Sequence, residues 1–266
     1  MEVAEDYGIG DLKQFAMDVV RRSGEEALAY YGKGSPLLKF DEGLITEAEL
    51  RLRELFKDDL YGQFPEHQVY MNGQSDGGYT HEGKRYVWVF DALDGVANYQ
   101  AGIPIWGISV ALYENYWPLL GLFYMPVTGD LFHAQAGQKA FRGTEEIHIS
   151  MQDDINDESL LLAYSRFHQR YRPTFPGKIR DLGCTSAHVC YVAMGRAEAA
   201  LLANESYQDL AAVRIIIEAA GGHIYKMNGS EFFLNEYLDG QRIEEHLLVV
   251  SSDKFAGVRQ CLQEAF

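Results

Sequence analysis

Apolar side chains at Leu12, Phe15, Ala16, Val19, Val20, Ala27, Leu28 and Tyr31 recur at helical spacing and predict a helix over 11–31, with Asp11 as its N-cap. The Gly- and Pro-containing stretch 32–36 ends it. Thr46 and Glu49 form a T-x-x-E capping box ahead of Leu50, Leu52, Leu55 and Phe56, so a second helix is expected to start at Thr46. Gln63-Phe64-Pro65 closes it, 69–71 is a short strand candidate, and the Gly-rich run 72–78 reads as a flexible loop. The period then shortens. Strands are expected at 86–90, 108–113, 119–124, 131–134, 140–141 and 147–149, and the short breaks from 107 to 141 suggest an antiparallel meander. The polar stretch 143–157 reads as the boundary between two subdomains, 1–150 and 151–266. Beyond it, strands at 160–163, 197–203 and 247–250 alternate with helices at 185–194, 209–220 and 253–265, the last with Ser251 or Ser252 near its cap. That alternation argues for an α/β subdomain.

One stretch breaks the pattern in a way that suggests chemistry. The apolar run 86–90 ends abruptly in Asp91, and Asp94 and Gly95 follow. A buried strand that delivers two carboxylates to a sheet edge and then turns tightly looks like this. The two acids repel unless a cation or a proton sits between them. A surface turn built from Asp and Gly is the competing explanation.

The bulk numbers narrow the function. A chain of 266 residues, 47% hydrophobic and 23% charged, can bury a sizeable core. A formal net charge of -16 argues against a nucleic-acid partner. An acidic protein that handles a phosphorylated anion needs metal ions or local dipoles to offset its own field. Cys184, Cys190 and Cys261 have no C-x-x-C spacing and read as free thiols in a reducing compartment. The N-terminus is acidic without an apolar signal region, and no apolar run approaches a membrane span. A cytoplasmic protein with no membrane partner is the expectation.

Three separated segments resemble one family. Asp91-Ala92-Leu93-Asp94-Gly95-Val96-Ala97-Asn98 resembles the D-P-x-D-G-T-x-N motif of the inositol monophosphatase family. Asp209-Leu210-Ala211-Ala212, followed by Glu218-Ala219-Ala220-Gly221-Gly222, resembles its W-D-x-A-A motif with a downstream E-A-G-G. Ile45-Thr46-Glu47-Ala48-Glu49 resembles its upstream V-T-E-A-D, and 183–195 looks like the helix before the second motif. A lone D-x-x-D-G is a weak signal, but the ordered set, over nearly the whole chain, is specific. The resemblance implies an α/β (α+β) fold, a layered αβαβα sandwich of the inositol monophosphatase and fructose-1,6-bisphosphatase type. It also implies a homodimer that hydrolyses small phosphorylated metabolites with Mg2+ and is often inhibited by lithium.

By that resemblance Asp91 would bridge two Mg2+ ions, and the backbone carbonyl of Leu93 would be a further ligand. Asp94 would ligate the second ion next to substrate, and Asp209 would complete that site from the far subdomain, although a helix-start Asp is also commonly a simple N-cap. Gly95 and Val96 would offer backbone N–H groups to the phosphate, Gly95 by allowing close approach. Gly183, Cys184 and Thr185 fall where the family contacts substrate hydroxyls, with Cys184 preferred as a small buried hydrophobe. His188 is expected to be a packed or surface residue rather than a ligand.

The pattern departs from the family on the water-activating side. The acid of the family's G-E-E loop falls at Asn72 or at Gln74, depending on the anchor, so the ligand there is at best a neutral amide. The family threonine is Val96, the upstream Asp is Glu49, and the motif proline is Ala92. The Glu typical of members that act on inositol phosphate falls at about Leu202, on an apolar run. The expected function is therefore a Mg2+-dependent phosphomonoesterase with an attenuated site. The alternative is a degenerate member that binds a metal, a phosphorylated ligand or a protein partner without hydrolysis. A purely structural role ranks last.

Overall fold

The structure, a computed structural model, describes residues 7–34, 42–70, 85–152 and 154–265. The helices are α1 (Ile9–Leu28), α2 (Glu42–Gln63), α3 (Val96–Ala101), α4 (Thr185–Ala193), α5 (Tyr207–Ala219) and α6 (Phe255–Gln260). The first seven strands are β1 (Gln68–Val69), β2 (Tyr86–Asp94), β3 (Gly107–Glu114), β4 (Trp117–Met125), β5 (Asp130–Gln135), β6 (Ala140–Arg142) and β7 (Glu145–Ile147). They form one sheet in sequence order. Apart from the parallel β1–β2 pair it is an antiparallel meander, as the short breaks predict.

Strands β8 (Leu160–Ala163), β9 (Tyr171–Pro173), β10 (Lys178–Arg180), β11 (Ala199–Leu202), β12 (His223–Lys226), β13 (Leu247–Val250) and β14 (Leu262–Glu264) follow. Five of them make a second sheet in the order β10-β8-β11-β13-β12, and β14 pairs with β9 separately. β8 and β11 run parallel with α4 in the crossover between them, while β13 is antiparallel to both neighbours.

Side-chain alternation builds the layers. On β2, Trp88, Phe90 and Ala92 join a core with Leu12, Phe15, Leu52 and Phe56 of α1 and α2. Val87 and Val89, on the opposite face, join a core with Leu210, Ala211 and Val213 of α5 and with Val189 of α4. That second core continues to Leu162, Ala200, Leu202 and Val249 of the second sheet. The far face of that sheet buries Leu161, Leu201 and Leu248 with Val258 of α6 and Tyr171 of β9. The order is helices, sheet, helices, sheet, helix, which is the αβαβα sandwich. Among the described residues no helix is long and apolar enough to cross a membrane.

Several local expectations are corrected. α1 starts at Ile9 with Gly8 as N-cap, so Asp11 lies in the first turn, where its charge meets the positive helix end. α2 starts at Glu42, which puts Thr46 and Glu49 inside the helix and removes the capping box. The terminal helix is only α6, N-capped by Lys254 rather than by Ser251 or Ser252, and the chain then turns into β14. Pairing of β14 with β9, far back in the chain, overrides the helical period there.

Candidate active site

The site begins with a fault in β2. Asp91 lies opposite Ser109 and Asp94 opposite Gly107, so three steps on β2 match two on β3. That extra residue is a β-bulge. In a regular strand, positions 91 and 94 would point to opposite faces; the bulge returns them to one side. Asp91 is buried at 9% exposure. Burial, then the charges of Asp209, Asp94 and Glu49, push its carboxyl well above the ordinary range. The Leu93 N–H donates to its Oδ1 at 3.4 Å and offsets part of this.

Gly95 turns the chain out of the strand with φ 85° and ψ 38° and serves as the N-cap of α3. A Cβ there would sit 2.9 Å from the Ile105 carbonyl oxygen and 3.1 Å from Trp106 Cα, so conformation and space both require glycine. Among the described residues no side chain caps α3. Val96 follows, half-buried against the α1–α2 core.

Asp94 crosses to the second half of the chain. Its carboxylate accepts the N–H of Thr185 at 3.2 Å and of Ser186 at 2.5 Å. Cys184 is the N-cap of α4 but makes no cap bond, so Asp94 supplies the cap from another strand. Cys184 is buried, and burial and Asp94 push its thiol well up, as fits a small inert hydrophobe. Gly183, at φ 71°, packs against the Asn98 amide. Asn98 Nδ2 donates to the carbonyls of Ile105 and Leu182, both at 2.7 Å. His188 is buried, accepts the Leu182 N–H on Nε2 at 2.9 Å, and is held below its usual range mainly by burial. It is the packed residue expected.

Asp209 sits at the third position of α5, not at its N-cap. Ser206 is the cap, and the two form a capping box: Ser206 N–H donates to Asp209 Oδ2 at 2.7 Å, and Asp209 N–H donates to Ser206 Oγ at 3.4 Å. Burial and Asp94 raise the Asp209 carboxyl as well. Gln208 Nε2 donates to the Phe90 carbonyl at 2.8 Å and ties the start of α5 to the end of β2. Arg242 Nη1 reaches Asp209 Oδ2 at 3.1 Å.

Glu205 was not anticipated. Leu202, where the family's acid was sought, is fully buried in β11. A different acid, Glu205, lies three positions later. Glu205 is buried, accepts the Thr185 hydroxyl at 3.0 Å, and is pushed well up by burial and by Asp209 and Asp94. The available signal was an acid directly ahead of the Ser206 cap, where the apolar strand has ended. Glu49 lies within α2, pairs with Arg53 at 3.5 Å and still acts on Asp91. Asn72 and Gln74 lie outside the described residues.

Glu49, Asp91, Asp94, Glu205 and Asp209 thus share one electrostatic neighbourhood. Hard carboxylate oxygens crowded around the raised carboxyls of Asp91, Glu205 and Asp209 fit a divalent cation such as Mg2+. Their side chains are not drawn around a single point: among the described residues no three His, Cys, Asp or Glu groups are placed to hold a metal. Asp94 is turned to the α4 backbone and Asp209 to Ser206 and Arg242.

A sequence profile described as the inositol monophosphatase family matches residues 10–255. The chain belongs to this family. Similar proteins include the histidinol-phosphatase of Chlorobaculum parvum, 26% identical over 232 residues that cover 84% of this chain and 88% of that one. The Nus factor SuhB of Xylella fastidiosa is 31% identical over 157 residues, 55% of this chain and 57% of that one. The Thermotoga maritima IMPase structure superposes with a TM-score of 0.77 at 22% identity, over 94% of this chain and 96% of that one. A phosphatase-type function accords with this membership, and Mg2+ is the ion the family generally uses.

Proposed function

We propose that the chain is a Mg2+-dependent phosphomonoesterase for a small phosphorylated metabolite, with a weakened water-activating side. The carrying observation is the β2 bulge, which turns Asp91 and Asp94 to one side within electrostatic reach of Asp209, directly ahead of α3 and its N-cap Gly95. Asp91, Asp94, Asp209 and the Leu93 carbonyl would hold the metal. When bound, it supplies charge neutralisation for the phosphoryl oxygens and the leaving oxygen. Gly95 and Val96 would present backbone N–H groups to the phosphate. Thr185, fixed by Glu205, would orient a hydroxyl of the leaving group. Val96 has no hydroxyl to position the attacking water, and the loss of such help costs about 10²–10⁴-fold in rate.

The test is phosphate release from histidinol, inositol and fructose phosphates with Mg2+ or Mn2+. Turnover above that of an Asp91→Asn control is expected, and none above it refutes the reading. Chromatography with light scattering tests the homodimer also proposed.

A second reading, a binder without turnover, is favoured by Val96 lying against the apolar core and by Glu49 pairing with Arg53. The SuhB relative, named a Nus factor rather than a phosphatase, points the same way. This reading predicts thermal stabilisation by a phosphorylated ligand with Mg2+ and no release of phosphate.

A further inference from the structure

Arg242 belongs to none of the family motifs, yet it lies on a metal-ligand candidate. An antiparallel bridge between Glu205 and Ile243, with the Ile243 N–H donating to the Glu205 carbonyl at 2.8 Å, carries its segment to the site. Asn204 takes a left-handed conformation, φ 64°, which asparagine tolerates better than most residues. Its carbonyl accepts Arg242 Nη1 at 3.0 Å. The same Nη1 donates to Asp209 Oδ2 at 3.1 Å. The guanidinium is therefore braced on backbone and aimed at the carboxylate. Asp209 Oδ2 also takes the Ser206 N–H, so both contacts bear on one oxygen.

This matters because the carboxylates are not gathered around one point. A cation bound between Asp91, Asp94 and Asp209 would share Asp209 with a fixed positive charge. Two cations cannot do that without repulsion. We propose that Arg242 is an internal competitor for the metal, holding Oδ2 of Asp209 until a divalent ion displaces it. The inference rests on the reading of these aspartates as a Mg2+ site.

The pair is partly open to solvent, with side-chain exposures of 60% for Arg242 and 26% for Asp209. Ion pairs this exposed change an equilibrium only a few-fold, and repulsion of a divalent ion adds to that. Arg242→Gln should therefore tighten metal binding by about three- to tenfold.

The experiment is calorimetric titration of Mn2+ into the full chain without substrate, with a thermal melt of each variant to verify folding. Arg242→Gln is expected to bind more tightly than the parent, and Arg242→Lys, which keeps the charge, to stay near it. Asp209→Asn should abolish the advantage of Arg242→Gln. Equal or weaker binding by Arg242→Gln overturns the proposal and leaves the metal site standing. Tightening by Arg242→Lys as large as by Arg242→Gln overturns it too. If neither the parent nor Arg242→Gln binds Mn2+, the metal reading falls and the competitor falls with it.

Discussion

Gly95→Ala separates two costs that are usually confounded. The first is conformational: at φ 85° and ψ 38° an L-residue with a Cβ is in the left-handed region, at about 1–2 kcal/mol. The second is steric. The added methyl would lie 2.9 Å from the Ile105 carbonyl oxygen and 3.1 Å from Trp106 Cα, both backbone atoms that cannot swing aside. Forcing a carbon into such a space costs roughly 1–3 kcal/mol. Gly129 provides the control, since its φ is 75° but a Cβ there meets nothing within 4 Å. Gly129→Ala should lose about 1–2 kcal/mol and Gly95→Ala about 2–5 kcal/mol. The assay is equilibrium urea unfolding of both variants and the parent with metal chelated, so that altered binding does not enter. Equal losses at the two positions would show that the crowding at Gly95 relaxes at no cost, and would refute the claim that backbone packing holds the turn tightly.

Three further outcomes are expected. Trp88 Nε1 donates to His67 Nδ1 at 3.0 Å, and burial lowers His67 from 6.5 to about 4. A His kept neutral in the fold gives stability that is present above the unfolded pKa and is lost as pH falls from 6.5 towards 4, here on the order of 2–3 kcal/mol. Urea unfolding at stepped pH should show that loss in the parent and a flatter profile in His67→Gln; parallel profiles would sink the assignment. If the losses at Val96 and Glu49 limit turnover, Val96→Thr with Glu49→Asp should raise phosphate release about 10- to 100-fold, and an unchanged rate would contradict that account. Lys254 and Glu198 form a buried pair at 2.6 Å with side-chain exposures of 5% and 6%. Lys254→Met alone should cost about 3–5 kcal/mol by stranding a buried charge, while adding Glu198→Gln should recover much of it; calorimetric melts that rank the double variant below the single would refute this.

What was legible in the sequence was local. The apolar run ending in Asp91 and Asp94 announced a strand and a turn, and the meander followed from short, evenly placed breaks. The layer order came from resemblance, because alternation alone says which residues are buried and not against what. Long-range facts were hidden. The bulge that puts Asp91 and Asp94 on one side is a property of pairing with β3, and Asp94's role as the cap of α4 spans 91 residues or more. Glu205 escaped because its polar neighbours Thr185, Asp94 and Asp209 are brought to it only by the fold. At Thr46 and Glu49 a correct local rule lost to a helix that starts earlier, at Glu42. The short α6 yielded to a strand pairing no window of ten residues contains.

Asn98 spends one amide nitrogen on two carbonyls, Ile105 beside its own turn and Leu182 ahead of α4. The first belongs to the segment leading into the first sheet, and the second to the chain that feeds the second. One side chain thus ties the Gly95 turn to the segment ahead of Thr185. A partly unfolded chain that opens between the two keeps Asp91 and Asp94 on β2 but loses the bonds of Asp94 to Thr185 and Ser186. On the proposed reading of these carboxylates, ligand affinity should therefore vanish at the earliest opening of the molecule, before most secondary structure is lost.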